Sequence, residues 1–300
     1  MEKKEKRSKS HHLLIWAVIL FVVGALLFCG GMFALEWSFV SADTTEYKAG
    51  SWTDASGDKV IALDIRMSGR VVTVESVGVG EPAHVEWHDT ESEKIEVTFS
   101  DGKLTIREKH IPKFPFKINW GNSEKNKMQI NIPVKELDEL KVRQSGGTFK
   151  LLGGIDKISK IDTWQDGGTS TYGDKDGAIE ADTLTHTQNG GTSAFNGIKA
   201  SGAVVFKQNG GTATLKEMEA KSFDCDKDGG TLRFTRMETN TLNLNRVNGG
   251  TIIGELVGAK SEYGISVNKN GGTCNVSNQF GVGKTITVRQ NGGTIRLSFV

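Results

Sequence analysis

The chain has 300 residues, 37% of them hydrophobic, with 37 basic and 36 acidic side chains and a net charge of +1. This balance lacks the strong positive charge that is typical of nucleic-acid-binding domains, so we expect no nucleic-acid partner. Its three cysteines are too few for a disulfide framework. Cys29 lies in an apolar segment, and we expect Cys225 and Cys274 to be small core residues.

The first 35 residues have the pattern of a membrane anchor. Residues 1–12 carry five basic and two acidic side chains, and residues 13–35 carry no charge. An apolar run of this length spans a bilayer, whereas that of a cleaved signal peptide is shorter. The basic tail predicts a single-pass protein of the cell membrane, with a cytoplasmic N-terminus and an extracellular C-terminal domain. The alternative is cleavage near Ala42, because Val40-Ser41-Ala42 resembles a small-residue cleavage site.

The next hundred or so residues predict a stalk followed by strands. Residues 36–58 are mostly small and polar and indicate a stalk, and residues 59–140 indicate a β-rich cap continuous with the repeats. The predicted strands are Val60–Met67, Val71–Val77, Ala83–His88, Lys94–Phe99, Lys103–Glu108, Met128–Ile132 and Glu139–Gln144. Ser100-Asp101-Gly102 predicts a hairpin turn. Pro112, Pro115 and Pro133 predict loops.

A Gly-Gly-Thr tripeptide recurs eight times in the second half of the chain, at intervals of 19 to 23 residues. Such a period, sustained over half a chain, is typical of a repeat architecture. Apolar and polar residues alternate on both sides of the tripeptide, which predicts a strand, a sharp glycine corner and a second strand. The first glycines of the corners are Gly146, Gly167, Gly190, Gly210, Gly229, Gly249, Gly271 and Gly292.

Two architectures are compatible with these repeats. Asn-Gly between alternating strands is a hairpin signal, and eight hairpins would form an antiparallel meander. A parallel β-solenoid instead requires the same residues at the same corner of every coil, because stacked Asn and Thr side chains form hydrogen-bonded ladders. We therefore expect an all-β fold, with a parallel β-solenoid of about eight coils over residues 141–300, the cap at 59–140 and one transmembrane helix before them.

Repeat six departs from the alternation. Asn243 and Asn245 fall at inward positions of this repeat, and Leu242 and Leu244 fall at outward positions. A bulge of one residue before Arg246 would return both leucines to the core. The sequence alone leaves this bulge as a hypothesis.

The C-terminal end of the solenoid has no evident cap. Only six residues, Ile295–Val300, follow the last corner. The final strand is then either an open edge or an edge that a partner covers, since solenoid ends expose unpaired backbone groups. We expect this end to be a surface for self-association.

The chain offers no convincing catalytic or metal-binding cluster. His84, Glu86 and His88 share one face of a predicted strand, which would suit half of a zinc site, but we favour a solvated polar face. The corners lack the downstream Gly-x-Asp of calcium-binding repeats. The short, even intervals leave no room for long active-site loops, so we expect no enzymatic activity, no cofactor and no metal.

Outward positions on both sides of the corners carry an excess of basic side chains. We expect a basic face that attracts anionic wall polymers or lipid headgroups, the alternative being ordinary solvated charge. Trp164, on the same rows, would add a stacking contact. The residues of this predicted face are Lys141, Arg143, Lys150, Lys207, Arg233, Arg246, Arg289 and Arg296.

Several segments together resemble a known family. The hairpin DGKLTI, the run INIPVKELDELKV and the repeated QNGGT corners are similar to the bacterial putative-adhesin β-strand-repeat family, a domain of unknown function, in a membrane-anchored form. The resemblance covers about residues 59–300. It implies a surface-exposed β-solenoid, sometimes encoded near envelope-stress systems, for which the family has no established catalytic residues.

These observations lead to two hypotheses on function. The first is a non-enzymatic, adhesin-like or structural module at the cell surface, which binds an anionic cell-wall polymer or another surface protein. The alternative is an accessory regulator of cell-envelope stress signalling that acts through its membrane span or tail. A binding module should work without residues 1–35, whereas a signalling accessory should not.

Overall fold

In a computed structural model, the protein consists of two units. The first contains the helix α1, and the second comprises Tyr47–Pro112 and Asn126–Val300. The predicted cleavage site near Ala42 and the loops at Pro112 and Pro115 lie outside the described residues. The described residues are 2–34, 46–78, 80–111, 125–173 and 178–300.

Helix α1 extends over Glu2–Ala34. Within it, Trp16–Phe33 has a mean hydropathy of 2.4 and is long and apolar enough to cross a membrane, a test that a signal sequence also passes. The prediction of a membrane helix therefore agrees with the structure in position and composition.

In the part of the second unit that the structure describes, nearly all regular structure is β-strand, with a short 3-10 turn at Lys260–Glu262. Its strands in chain order are β1 (Lys48–Thr53), β2 (Ala62–Met67), β3 (Val71–Ser76), β4 (His84–Asp89), β5 (Glu93–Ser100), β6 (Lys103–His110), β7 (Lys127–Ile132), β8 (Glu136–Gln144), β9 (Thr148–Leu151), β10 (Lys157–Gln165), β11 (Thr169–Tyr172), β12 (Ile179–Gln188), β13 (Thr192–Asn196), β14 (Ile198–Gln208), β15 (Thr212–Lys216), β16 (Glu219–Lys227), β17 (Thr231–Val247), β18 (Thr251–Leu256), β19 (Tyr263–Lys269), β20 (Thr273–Cys274), β21 (Lys284–Gln290) and β22 (Thr294–Phe299).

The repeats form a parallel β-solenoid, as predicted, and the antiparallel meander is wrong. Strands that lead into a corner pair with one another in parallel, and we call them the pre-corner sheet. Strands that follow a corner do the same, and we call them the post-corner sheet. Stacked coils place like residues beside each other, so that Thr169 of β11 pairs with Thr148 of β9 and with Thr192 of β13.

Two further coils come from the region predicted as a cap. Strand β2 pairs in parallel with β8 and β6, and β3 pairs in parallel with β9 and β7. Within the described residues, ten pre-corner strands therefore stack in parallel instead of the expected eight. The antiparallel strands β1, β4 and β5 complete the N-terminal end. Strand β1 lies within residues 36–58, the predicted stalk, and its Trp52 contacts Phe99 at 5.8 Å between ring centroids.

The C-terminal end has an unexpected strand order. Strand β21 lies between β17 and β19, and β22 lies between β18 and β20. The last repeat of the chain is therefore inside the solenoid, and the seventh repeat is the outermost coil. The expectation that the final strand forms an open edge is wrong, because β22 is paired on both sides.

The outermost strand β19 is covered by its own chain. Ile265 and Gln279 exchange two backbone hydrogen bonds, of 2.8 and 2.9 Å. The side-chain oxygen of Asn278 accepts a hydrogen bond of 2.6 Å from the backbone N–H of Val267. Asn278 and Gln279 therefore belong to a cap that was not evident from the sequence. The expectation of self-association at this end rested on the absence of a cap, so it loses that support.

The predicted bulge in repeat six is confirmed. Cys225 pairs with Leu244, but the next residue of β16, Asp226, pairs with Arg246, so Asn245 is the extra residue. Leu242 and Leu244 are both fully buried. The extra residue shifts the alternation of inward and outward side chains by one position, which is why both leucines reach the core.

Each Gly-Gly corner is held by two different steric constraints. At the first glycine, a Cβ atom would lie 2.7 Å from a backbone oxygen of the preceding coil, as at Gly210 against Asn189. The second glycine has a positive φ, 76° at Gly211, and its Cβ would lie 2.4 Å from the Gly191 oxygen. Both glycines are therefore needed, because coils approach too closely there for any side chain.

Glutamine side chains form a buried column beneath the corners. The Gln188 Nε2 donates to the Gly191 oxygen of its own corner and to the Thr212 oxygen of the next coil, both at 3.1 Å. Gln144, Gln165, Gln208 and Gln290 repeat this arrangement. Since buried carbonyl groups need a donor, this column satisfies the corner backbone away from water.

An exposed ladder of Asn and Asp side chains runs along the same corners. The Asn189 amide donates to Asp166 at 2.6 Å, and the Asn209 amide donates to Asn189 at 2.7 Å. A second ladder begins at Asp228, which accepts from Asn248 at 2.6 Å. Each ladder starts from an aspartate because a carboxylate only accepts. The predicted stacking of these residues is confirmed.

Replacing the second glycine of an internal corner should be far more costly than an equivalent change at an open turn. Gly211→Ala places a Cβ against the backbone of the preceding coil and should lower the free energy of unfolding by about 3 kcal/mol or more. The control is Gly57→Ala, which has a similar φ of 73° but no atom within 4 Å of the added Cβ, and should cost about 1 kcal/mol. Chemical denaturation of both variants measures the difference, and equal losses would contradict the packing argument.

Lys227 occupies the glutamine column and should make the free energy of unfolding increase as the pH becomes alkaline. It is fully buried, its Nζ donates to Gln208 Oε1 at 2.5 Å and to the Gly229 oxygen, and burial lowers its pKa to about 8. Between that pKa and the ordinary value of 10.5, the unfolded chain binds a proton that the folded chain does not, so stability rises with pH.

We expect a gain of about 2 kcal/mol between roughly pH 7 and 9.5, which Lys227→Gln should abolish. The measurement is denaturant unfolding across this range in a Cys225→Ala background. Burial raises the pKa of the Cys225 thiol to about 12, so its ionisation in the unfolded chain would otherwise oppose the effect. An unchanged pH slope in Lys227→Gln would show that Lys227 is not the source.

Candidate anion-binding surface

The eight basic residues of the predicted face lie on two different sheets. Lys141, Arg143, Lys207, Arg246 and Arg289 belong to the pre-corner sheet. Lys150, Arg233 and Arg296 belong to the post-corner sheet. The Gly-Gly turn separates these two sets of strands, so the structure divides the eight predicted residues between two sheets. Their role in binding stays a prediction.

The basic residues far along the pre-corner sheet have acidic neighbours. Arg246 forms an ion pair with Asp228 at 3.2 Å. Lys207 is the direct register partner of Asp226 on the next strand. These pairs reduce the positive charge of this part of the sheet.

A denser basic surface lies at the N-terminal end of the pre-corner sheet. Arg107 of β6, Arg66 of β2 and Arg143 of β8 are register partners on adjacent strands. We call these three residues the arginine column. Adjacent strands are about 4.8 Å apart, so the column presents a guanidinium group at roughly that interval along the solenoid axis.

An aromatic ring continues the arginine column. Trp164 of β10 is the register partner of Arg143, and the Arg143 guanidinium carbon lies 5.9 Å from the ring centroid. The indole N–H of Trp164 donates to Asp166 at 2.9 Å, which fixes the ring orientation. The side chain remains 40% exposed, unusually open for tryptophan.

The carboxylates near the column are already engaged by the protein. Asp162 accepts hydrogen bonds from both terminal nitrogens of Arg143, at 2.9 and 3.3 Å. The Asp64 side chain is only 7% exposed and lies 3.7 Å from Arg66 and 3.6 Å from Lys103. These contacts neutralise the two carboxylates and leave half of the Arg66 side chain exposed.

Glu139 and Lys160 form the remaining ion pair of this surface, at 2.8 Å. The hydrogen bond from Lys160 holds the pKa of the Glu139 carboxyl below its ordinary value. The three register rows that cross β6, β2, β8 and β10 through Lys103, Thr105 and Arg107 thus carry six basic side chains and three acidic ones. The basic residues are Lys103, Arg107, Arg66, Lys141, Arg143 and Lys160, and the acidic residues are Asp64, Glu139 and Asp162.

The sequence analysis found Lys141, Arg143 and Trp164 but missed Arg66 and Arg107. A degenerate corner at Ser68-Gly69 could have revealed Arg66, because Arg66 precedes Gly69 by three residues, as Arg143 precedes Gly146. Arg107 has no corner to mark it. Only the pairing of β6 with β2 brings it beside Arg66.

The other titratable groups singled out by sequence have structural contacts. His84 contacts Thr53 at 2.7 Å through one ring nitrogen and Glu86 at 3.0 Å through the other. Within the described residues, no three His, Cys, Asp or Glu side chains are grouped as a metal site would need. Cys225 and Cys274 are free thiols, the first fully buried and the second partly buried.

Residues 60–300 match the family model Toastrack DUF4097. No curated protein matches the chain. Among solved structures, the chain is similar to a putative adhesin from Parabacteroides distasonis, with 16% identity, a TM-score of 0.49, and coverage of 85% of this chain and 98% of that one. It is also similar to a putative adhesin from Bacteroides fragilis, with 13% identity, a TM-score of 0.39, and coverage of 84% and 97%.

A buried histidine in the core should make the fold sensitive to acid. His186 lies between Phe195 and Phe206, its Nδ1 is 2.7 Å from Thr163 Oγ1, and burial lowers its pKa to about 3. Between that value and the ordinary 6.5, the unfolded chain binds a proton that the folded chain does not. Stability is therefore complete above pH 6.5 and falls as the pH is lowered.

Acidification from about pH 7 to 5 should cost about 2 kcal/mol through this residue alone. His186→Leu should remove that part of the pH dependence. Urea unfolding at both pH values gives the answer. A histidine contribution is ruled out if His186→Leu and the parent lose the same free energy.

Proposed function

The chain belongs to the Toastrack DUF4097 family, and we propose that it is a non-enzymatic, membrane-anchored surface module whose solenoid binds anionic polymers of the cell envelope. The observation that carries this proposal is the arginine column with its adjoining Trp164. Three guanidinium groups on adjacent strands, beside engaged carboxylates, create a local positive field in a chain of nearly balanced charge.

The proposed anchor is helix α1. Its apolar window, Trp16–Phe33, has the length of a membrane span, and five basic residues precede it within residues 1–12. Basic residues beside a span favour the cytoplasmic side. In this proposal the helix stays uncleaved and the solenoid lies outside the cell.

Several features support a binding role over an enzymatic one. Burial keeps the pKa of Cys225 near 12, so its thiol is not a nucleophile at neutral pH. His186 is buried among aromatic rings and cannot meet a substrate. The basic surface, by contrast, is exposed on regular strands, which hold its side chains at a constant spacing.

The proposal predicts salt-sensitive binding of the solenoid unit to cell-wall material. Purified residues 47–300 should co-sediment with isolated wall at low ionic strength and be released at about 1 M salt, where the Debye length is only about 3 Å. Walls stripped of their anionic polymers are the control and should retain little protein. Absence of binding at low salt would reject this function and direct attention to the helix and a role in envelope signalling.

A further inference from the structure

One exposed strip crosses five successive strands of the pre-corner sheet at a constant register. Arg107, Arg66 and Arg143 are followed by Trp164 and then by Thr187 of β12. The strip runs along the solenoid axis, perpendicular to the strands. Basic, aromatic and hydroxyl side chains therefore succeed one another at one position per coil.

We propose that this strip binds an acidic polysaccharide, extended along the solenoid axis with its carboxylates on the arginine column and a sugar ring on Trp164. This inference rests on the proposed function, whose ligand class it names.

The spacing of the column suits a polymer with one charged unit per coil. Adjacent guanidinium groups are separated by one strand spacing, about 4.8 Å. A sugar unit in an extended acidic polysaccharide advances by a similar distance. A polyol phosphate separates its charges by a whole polyol segment, which matches the column less well. Guanidinium groups pair with carboxylates through two parallel hydrogen bonds, which adds geometric specificity.

Trp164 explains why a ring is expected in the ligand. Its indole N–H donates to Asp166 at 2.9 Å, which favours one orientation of the exposed ring. Its register neighbour on the next strand, Thr187, is small, and Trp164 remains 40% exposed. The apolar face of a sugar ring packs on such a surface, whereas a linear phosphate chain has no ring to place there.

The local charge leaves the column available to an anion. Arg143 and Asp162 neutralise each other, and Asp64 is shared between Arg66 and Lys103. Glu96, which lies opposite Arg107, pairs with Lys109 at 2.8 Å. Arg66 and Arg107 are therefore the guanidinium groups of the column that are most available to a ligand. Lys141 lies in register between Asp64 and Asp162 and adds a further cation. Incoming carboxylates therefore meet more unneutralised positive than negative charge along the strip.

The full chain in uncharged detergent micelles provides the test, with three polymers as probes. Polygalacturonate has both rings and charges, its methyl ester has the rings without the charges, and polyphosphate has charges without rings. We expect polygalacturonate to bind most tightly and the ester to bind at least tenfold more weakly, because loss of charge removes each guanidinium contact. End-labelled polymers and fluorescence anisotropy give the dissociation constants across a salt series.

Matched variants assign the binding to the strip. Arg66→Gln with Arg107→Gln leaves the Arg143–Asp162 pair intact and should weaken polygalacturonate binding about tenfold or more. Arg233→Gln with Arg296→Gln removes the same charge from the post-corner sheet, away from the strip, and should change binding less than about threefold. Trp164→Leu should weaken polygalacturonate binding about fivefold and leave polyphosphate binding unchanged. Unchanged melting temperatures exclude unfolding as the cause.

The possible failures are distinguishable. Equal losses in the two double variants would show that the strip is not the site. Polyphosphate binding as tight as polygalacturonate, with no effect of Trp164→Leu, would overturn the polysaccharide and leave a general anionic-polymer function. Failure of every polyanion to bind at low salt would overturn the proposed function itself.

Discussion

The structure depends on the close approach of successive coils at the Gly-Gly corner. There, backbone atoms of neighbouring coils occupy the space where a Cβ would lie, as Gly191 does at Gly211. The corner brings its polar backbone groups inside, and the buried glutamines satisfy them. The corner is therefore one physical unit, in which close approach demands the glycines and the buried carbonyl groups favour a glutamine, replaced by Lys227, Val247 and Lys269 in repeats five to seven.

This unit explains why the solenoid tolerates exchange of coils at its ends. Corners of similar chemistry stack on one another whatever their order in the chain, so the eighth repeat can lie between the sixth and the seventh. The seventh repeat suits the end position because its inward Lys269 is exposed there and because its post-corner strand is only two residues long. The Asn275 side chain follows this strand and forms two hydrogen bonds with the backbone of Leu297. Its Nδ2 donates to the Leu297 oxygen and its Oδ1 accepts from the Leu297 N–H, both at 2.8 Å.

The same stacking gives the surface its chemistry. Parallel pairing without offset places side chains from distant parts of the chain in one row, and the arginine column arises in this way from β6, β2 and β8. A row of like charges repels itself, and Asp64 and Asp162 in the neighbouring row offset that repulsion. The resulting surface is ordered by the backbone, so a regular polymer is the kind of ligand that it would match best.

Much of the architecture is determined by sequence alone, because it depends on local patterns. The glycine corners, the alternation around them and the apolar window of α1 all follow from residue spacing, whereas the bulge at Asn245 was a hypothesis until the strand register was known. The tertiary structure decided which coils are neighbours. Pairing of β2 with β6 and of β3 with β7 adds two coils from residues 59–140 to the solenoid. Pairing of β21 with β17 places the last repeat within the stack of coils. The eight predicted basic residues are divided between two sheets. The reason is that corners with interchangeable chemistry carry no information about their order, which is set by long-range pairing and by the capping segments at the ends.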